Sequence, residues 1–298
     1  MAFELKDWLQ FLVSGFSTGC IYALIGLGII VIYSVTRVIN MAQGEFVMLG
    51  AMLAVVFSRS LGLPLAVSFM MAVAATALIG VAIFRLTIVP ARRSSEVTQL
   101  LITIGTAMGV RGVALTVWGT TPRPLPAFTA GAPLLIGGAA LSLQRVWIIG
   151  ATAMALLALY AFFEFTLLGK ALRACSVNRK AAELSGVPAG AMGALAYGVS
   201  AALGALAGIV IAPLTLASYD MGLSLGLKGF VVAVMGGFVS APAAVLSGVF
   251  LGVLESVAAG IFSAGFKDAL AFLVLFLVLL VRTAGLPTLP WRRARAGA

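Results

Sequence analysis

The chain contains no histidine, which removes Ser-His and Cys-His nucleophilic catalysis, HExxH zinc sites and histidine proton relays from consideration. Its two cysteines are Cys20, inside an apolar run, and Cys175, in a basic stretch. They supply neither a disulfide framework nor a CxxC metal site and read as unpaired structural thiols. No GxxxxGK[ST] occurs. The one Gly-Lys, Gly169-Lys170, is followed by Ala171 and has Glu164 where the first P-loop glycine belongs, so the chain cannot cradle ATP phosphates itself. Charge is scarce too: 9% of the 298 residues are Asp, Glu, Lys or Arg and 62% are apolar, against about 25% and 45–50% in soluble domains. A water-soluble globule is excluded.

Mean hydropathy is +1.17, and at about 20 residues per span the chain has room for eight to ten crossings. The expected fold is therefore all-α, a polytopic integral membrane protein. Net charge is +10, but the cations do not form the single solvated face that nucleic acid would need. Arg85, Arg92 and Arg93 form one cluster; Lys170, Arg173, Arg179 and Lys180 a second; Arg282, Arg292, Arg293 and Arg295 a third. Each lies just beyond an apolar run, where it reads as a cytoplasmic topology signal. Glu4, Lys6 and Asp7 precede an apolar run far longer than a signal-peptide core, so it reads as a retained first span.

Apolar runs lie at about 9–34, 39–58, 63–89, 96–118, 143–165, 190–215, 229–258 and 266–282. The 119–142 stretch, with Pro122, Pro124 and Pro126, reads as an extended external loop. Two runs separate the first two basic clusters, as a shared side requires. Three separate the second from the third, an odd number, unless the 229–258 run breaks at Gly236, Gly237 and Pro242. A broken or re-entrant helix is expected there, because irregular backbone at depth needs protein or a water-filled cavity around it. If all three runs before Arg85 cross, the N-terminus is external. GxxxG occurs at Gly15/Gly19, Gly105/Gly109, Gly204/Gly208, Gly222/Gly226 and Gly248/Gly252. Chance alone gives about four such pairs, so they read as packing positions rather than dimer faces.

Two polar stretches stand out. In the first, residues 33–50, Asn40 sits where a helix N-cap belongs and Gln43, three residues on, suggests a capping box. Glu45 then begins a long uncharged run and needs a partner or a water-filled face; it reads either as a transport-path or gating element or as an interfacial acid in the headgroups. In the second, residues 169–188, Asn178 is the expected N-cap and Gly186 the stop of a helix of about two turns, with Pro188 preventing continuation. So short a helix is marginal alone and must dock, either on lipid headgroups or in a partner protein.

The strings Ile39-Asn-Met-Ala-Gln-Gly-Glu45 with Leu49-Gly50-Ala51, Gly169-Lys-Ala-Leu-Arg-Ala174 with Ala181-Ala-Glu183 and Gly186, and Gly229-Phe-Val-Val-Ala-Val-Met-Gly-Gly237 with Ser240-Ala-Pro242 closely resemble the LivH-like permeases of bacterial branched-chain amino-acid ABC importers, in order and over nearly the whole chain. One departure is Gln43, where members usually carry His, so no proton role is assigned there.

The resemblance implies a single transmembrane permease domain over 1–298 in the bacterial inner membrane, with 169–188 as the cytoplasmic coupling loop that docks in a groove of the ATPase subunit. Lys170, Arg173, Asn178, Ala182, Glu183 and Gly186 are its coupling candidates; Asn40, Gln43, Glu45, Gly236 and Gly237 are the translocation-path or gating candidates. The expected partners are a homologous second permease, as a heterodimer, two cytoplasmic ATPases, an external solute-binding protein and the lipid bilayer. No metal and no cofactor are expected in this chain, and ATP is used by the partner subunits. The expected cargo is a branched-chain or related hydrophobic amino acid, with urea, short amides or other amino acids as the alternative.

An ion-coupled carrier is disfavoured by the lack of an acid or histidine chain in the spans. Glu164 and Arg111 lie near span ends and read as snorkelling groups. An ion pair between Arg111 and Glu255 is also possible on this topology.

Overall fold

The computed structural model describes residues 4–283 apart from 239 and 263–264. The helices are α1 (Leu5–Thr36), α2 (Gln43–Val55, prolonged by a π turn Val56–Ser60), α3 (Leu65–Ile83, prolonged by a π turn Phe84–Ile88), α4 (Glu96–Trp118), α5 (Leu143–Phe165), α6 (Leu167–Val177), α7 (Arg179–Leu184), α8 (Ala189–Thr215), α9 (Met221–Met235), α10 (Ala241–Ile261) and α11 (Phe266–Thr283). Among the described residues six helices are long and apolar enough to cross a membrane: α1, α3, α4, α5, α8 and α10. The protein is an all-α, multi-pass membrane protein.

The 119–142 loop holds one piece of structure that its prolines and glycines hid. Strands β1 (Leu134–Ile136) and β2 (Ala139–Leu141) form a hairpin around Gly137 and Gly138, whose φ values of 58° and 87° suit glycine. Gln10 of α1 exchanges hydrogen bonds with the backbone of Ala140 at 2.8 and 3.2 Å, so the N-terminus of α1 lies at this hairpin end. Arg123 and Ala217 pair through their backbones at 2.8 and 2.9 Å, which brings the α8–α9 connection to the same end. At the opposite, basic end, Arg92 and Arg179 line one cleft, and Arg37 donates to the Ser176 carbonyl at 2.9 Å. The first two cationic clusters thus share a side. Of the third, Arg292, Arg293 and Arg295 and the side chain of Arg282 lie outside the described residues.

The expected break is present. The α9 helix ends at Met235 against Gly236, Gly237 (φ 76°) and Phe238 (φ 60°) turn the chain, and α10 starts at Ala241 with the Ser240 hydroxyl accepting from the Ala243 N–H at 3.3 Å. The start of α9, Met221, precedes the apolar run because Lys228 depresses hydropathy where its charge is in fact paired.

Glycines set the core. Gly15 and Gly19 of α1 lie against Gly248 and Gly252 of α10 so closely that a Cβ on any of them would meet facing backbone. Gly204 and Gly208 of α8, and Gly222 and Gly226 of α9, likewise admit α2. These GxxxG pairs are intrachain seams, whereas Gly105 and Gly109 of α4 have open space beside them.

The most unusual backbone is the lead-in to α2. Arg37 leaves α1 at φ 60°, and the non-helical residues that follow are buried at Val38, Asn40 and Ala42. Gln43 then meets Ser200, about 16 Å along α8 from its first residue at the α-helical rise. So α2 starts inside the bundle, where protein on all sides satisfies a chain that lipid could not.

Candidate functional site

At this internal helix start the expected capping box does not form. Ala42 precedes the first helical residue, and no side chain caps it. The helix begins two residues later than an Asn40 cap requires, which makes Gln43 its first residue rather than its third. Asn40 Oδ1 instead accepts from the Ala42 N–H at 3.1 Å, a local turn of the Asx kind. Gln43 reaches across to α8: its Nε2 donates to the Ser200 carbonyl at 3.2 Å, and the Ser200 hydroxyl lies 2.6 Å from Gln43 Oε1 and 2.8 Å from the Gly28 carbonyl, one proton serving both. A side chain at Gly28 would displace the Gln43 amide. Gln43 therefore ties α1, α2 and α8 together.

Glu45, 1% exposed, forms an ion pair with Arg111 of α4. This corrects both readings of Arg111: it neither snorkels outward nor pairs with Glu255. It turns inward because α4 runs past the start of α2, where Thr103 also accepts from the Met41 N–H at 3.2 Å and donates to the Ile39 carbonyl at 3.3 Å. Glu45 is thus not a headgroup acid. Three buried polar atoms here have no partner among the described residues: Asn40 Nδ2, Glu45 Oε2 and Arg111 Nε. Unsatisfied groups of this kind are costly in a low-dielectric interior.

Glu255 is paired elsewhere, through one of its two oxygens. It accepts from the Tyr22 hydroxyl at 2.7 Å and from Lys228 Nζ at 3.2 Å, and Lys228 also pairs with Asp268 at 3.0 Å. Lys228 escaped sequence reading; a lone lysine among apolar and glycine residues was the available signal. Glu164, by contrast, lies partly exposed at the end of α5 and pairs with Arg173 at 3.0 Å.

At the basic end, α6 and α7 form a helix pair held by a small apolar cluster: Leu172, Cys175 and Ala182 pack with Val31, Val35, Met192 and Ala196. As expected, Asn178 caps α7, its Oδ1 accepting from the Ala181 N–H at 3.1 Å, and Gly186 (φ 86°) follows its last turn. Ala182 faces inward, while Lys170, Arg173, Asn178, Glu183 and Gly186 are exposed. Leu184 at 90% and Val177 at 82% exposure project outward beside them. Gly236 and Gly237 are not part of the α2 site: they lead into Phe238, whose ring packs at a tilt against Tyr33 near the end of α1. Among the described residues no group of acids or cysteines could hold a metal ion.

The chain resembles known transport proteins along its length. The family described as branched-chain amino acid transport system / permease component matches residues 11–279. The chain is 30% identical to the high-affinity branched-chain amino acid transport system permease protein BraD of Pseudomonas aeruginosa, over 95% of this chain and 96% of that one. It is also 30% identical to LivH, the permease protein of the corresponding system of Escherichia coli K12, over 96% and 97%. Among solved structures, a chain of PsaBC from Streptococcus pneumoniae in complex with Fab is similar in fold, with TM-score 0.50 and 15% identity over 92% of this chain and 91% of that chain. With its buried seams, broken helix and internal α2 start lying within the matched residues, the chain belongs to the permease-component family of branched-chain amino acid transport systems.

Proposed function

We propose that this permease passes branched-chain or closely related hydrophobic amino acids inward across the bacterial inner membrane as the transmembrane subunit of an ATP-binding-cassette importer. The carrying observation is the end-to-end match to permease proteins named for that cargo. In this reading the basic end is cytoplasmic, which puts the N-terminus of α1 and the 119–142 hairpin outside. The α6–α7 pair is then the cytoplasmic coupling element: Leu184 and Val177 supply apolar anchors of the kind a groove buries, and Lys170, Arg173, Asn178, Glu183 and Gly186 supply the rim. Two ATPase subunits hydrolyse ATP there, a second homologous permease completes the path, and an external binding protein delivers cargo. The chain itself carries out no covalent chemistry and needs no cofactor.

The path side of this permease is drawn at the α2 start. Glu45 and Arg111 hold α4 to the bundle by charge, so parting them moves a whole helix, a suitable gate for alternating access. Asn40 and Gln43 flank that junction, and the Gly236–Gly237 turn is a hinge between α9 and α10. The test is reconstitution of the tagged permease with its co-purifying subunits in liposomes. ATP-dependent accumulation of leucine, isoleucine or valine is expected; accumulation of urea or a short amide in their place would assign the alternative cargo.

A further inference from the structure

A cavity of about 400 Å³, whose lining includes neither Glu45 nor Arg111, lies between α9 and α11 at the hairpin end of the molecule. Its floor carries Lys228, which is 9% exposed. Its rim carries two exposed carboxylates, Asp220 just before α9 and Asp268 in the first turn of α11; Leu227, Val231 and Phe272 form apolar wall. The size is within the range of small-molecule sites.

The charges are arranged in two tiers. Behind Lys228, Glu255 (2% exposed) and the Tyr22 hydroxyl fix the ammonium at 3.2 Å each, so the cation keeps a buried counter-charge whatever stands in front of it. One oxygen of Glu255, Oε1, has no partner among the described residues. In front, Asp268 touches Lys228 at 3.0 Å, yet its side chain is 65% exposed, and the exposed Asp220 carboxylate accepts from the Ser218 hydroxyl at 2.6 Å. A purely structural ion pair needs neither the second acid nor the cavity. A carboxylate arriving at the floor can take the place of Asp268 on Lys228, and Asp268 and Asp220 are then left to receive an ammonium at the rim.

We infer that this cavity binds a small zwitterion with an aliphatic body: its carboxylate on Lys228, its ammonium between Asp268 and Asp220, and its side chain on Leu227, Val231 and Phe272. The inference rests on the function proposed above and deepens it, since a free aliphatic amino acid has this chemistry and the cavity lies at the hairpin end, the external end in that reading. A phosphatidylethanolamine headgroup shares the pairing of anion and ammonium and is the other source to be distinguished.

The test uses Ser224, on the cavity wall, as a reporter. In the complete complex, with the buried Cys20 and Cys175 replaced by alanine, the Ser224→Cys thiol is labelled with a maleimide in phosphatidylcholine vesicles, with and without saturating leucine. Leucine is expected to slow labelling several-fold, and neither isoamylamine nor isovalerate, each with one charge, is expected to do so. Asp268→Asn or Asp220→Asn should abolish the protection, read as the ratio of labelling rates with and without leucine in each variant. Should Asp268→Asn fail to assemble, Asp220→Asn, an exposed residue bonded to Ser218, carries the test.

Absence of protection by leucine, or protection that survives both variants, would overturn the inference. So would slow labelling without leucine that appears only when phosphatidylethanolamine is present. The outcomes separate from the function itself: leucine uptake without protection sinks the cavity site alone, and protection in a complex that accumulates only amides sinks the cargo assignment alone.

Discussion

The buried Glu45, in the first turn of α2, and the partly buried Arg111, on α4, form an ion pair across 66 residues of sequence. Eight residues below Arg111, about two turns of α4, Thr103 makes a second polar link to the same lead-in segment. Both ties of α4 converge on the point where α2 begins, and both are polar in a helix whose glycines face open space. Such a helix adds a few directional contacts to the limited packing made by Ala107, Val110, Ala114 and Trp118, so small changes at those contacts should move it.

Glu45→Gln keeps an acceptor for Arg111 but removes the charge. Expression and assembly are expected to persist and maximal uptake to fall at least several-fold. Arg111→Met strands a buried carboxylate and should destabilise the permease by on the order of 2 kcal/mol. The double variant should regain most of that stability without regaining transport, a coupling that a double-mutant cycle on melting and uptake would measure. Wild-type uptake in Glu45→Gln would reduce the pair to a structural tie.

The two kinds of glycine pair should respond oppositely. Gly252→Ala forces a methyl into the α1 backbone, and a loss of about 1–3 kcal/mol is expected from overpacking. Gly109→Ala meets nothing within 4 Å and should leave the melting temperature of the isolated chain unchanged. Thermal unfolding in detergent compares them directly.

On the basic end, Glu183→Lys breaks only an exposed bridge to Arg179, three-tenths to half a kcal/mol at most by the usual scale of about 0.3–0.5 kcal/mol for such helix pairs. The fold should therefore survive. Uptake and substrate-stimulated ATP hydrolysis should both fall, as should those of Leu184→Asp, which removes the most exposed apolar anchor. Normal transport in both variants would show that α7 rests on headgroups.

Each buried acid of the membrane helices has a cation of its own: Arg111 for Glu45 and Lys228 for Glu255. Neither is free to ferry protons singly. Uptake by the reconstituted complex should survive collapse of proton and sodium gradients while ATP is held constant; uptake that stops with the ionophore would favour an ion-coupled carrier.

Helix positions were legible from hydropathy because lipid and core both demand apolar side chains, and the break after Met235 was legible because two glycines and a proline cannot continue a helix. The Asn178 cap was readable for the same local reason. Charge partners were not. Arg111 lies near a span end, where outward snorkelling and inward pairing have the same sequence signature, and Lys228 finds Glu255 and Tyr22 only once α1, α9 and α10 are brought together. Asn40 misled because a cap is a local pattern, whereas the depth at which α2 starts depends on α8. The hairpin in 119–142 was hidden by its own glycines, which signal turns without saying that strands flank them.

The glycine seam between α1 and α10 also orders the birth of the protein. Ribosomes deliver α1 first, yet the surface that encloses Gly15 and Gly19 is made more than two hundred residues later. Likewise α2, buried along nearly its whole length, must await α8 and α9. The nascent chain therefore keeps its central helices in provisional surroundings until α8, α9 and α10 are synthesised, and α1 reaches its final neighbours long after it has been made.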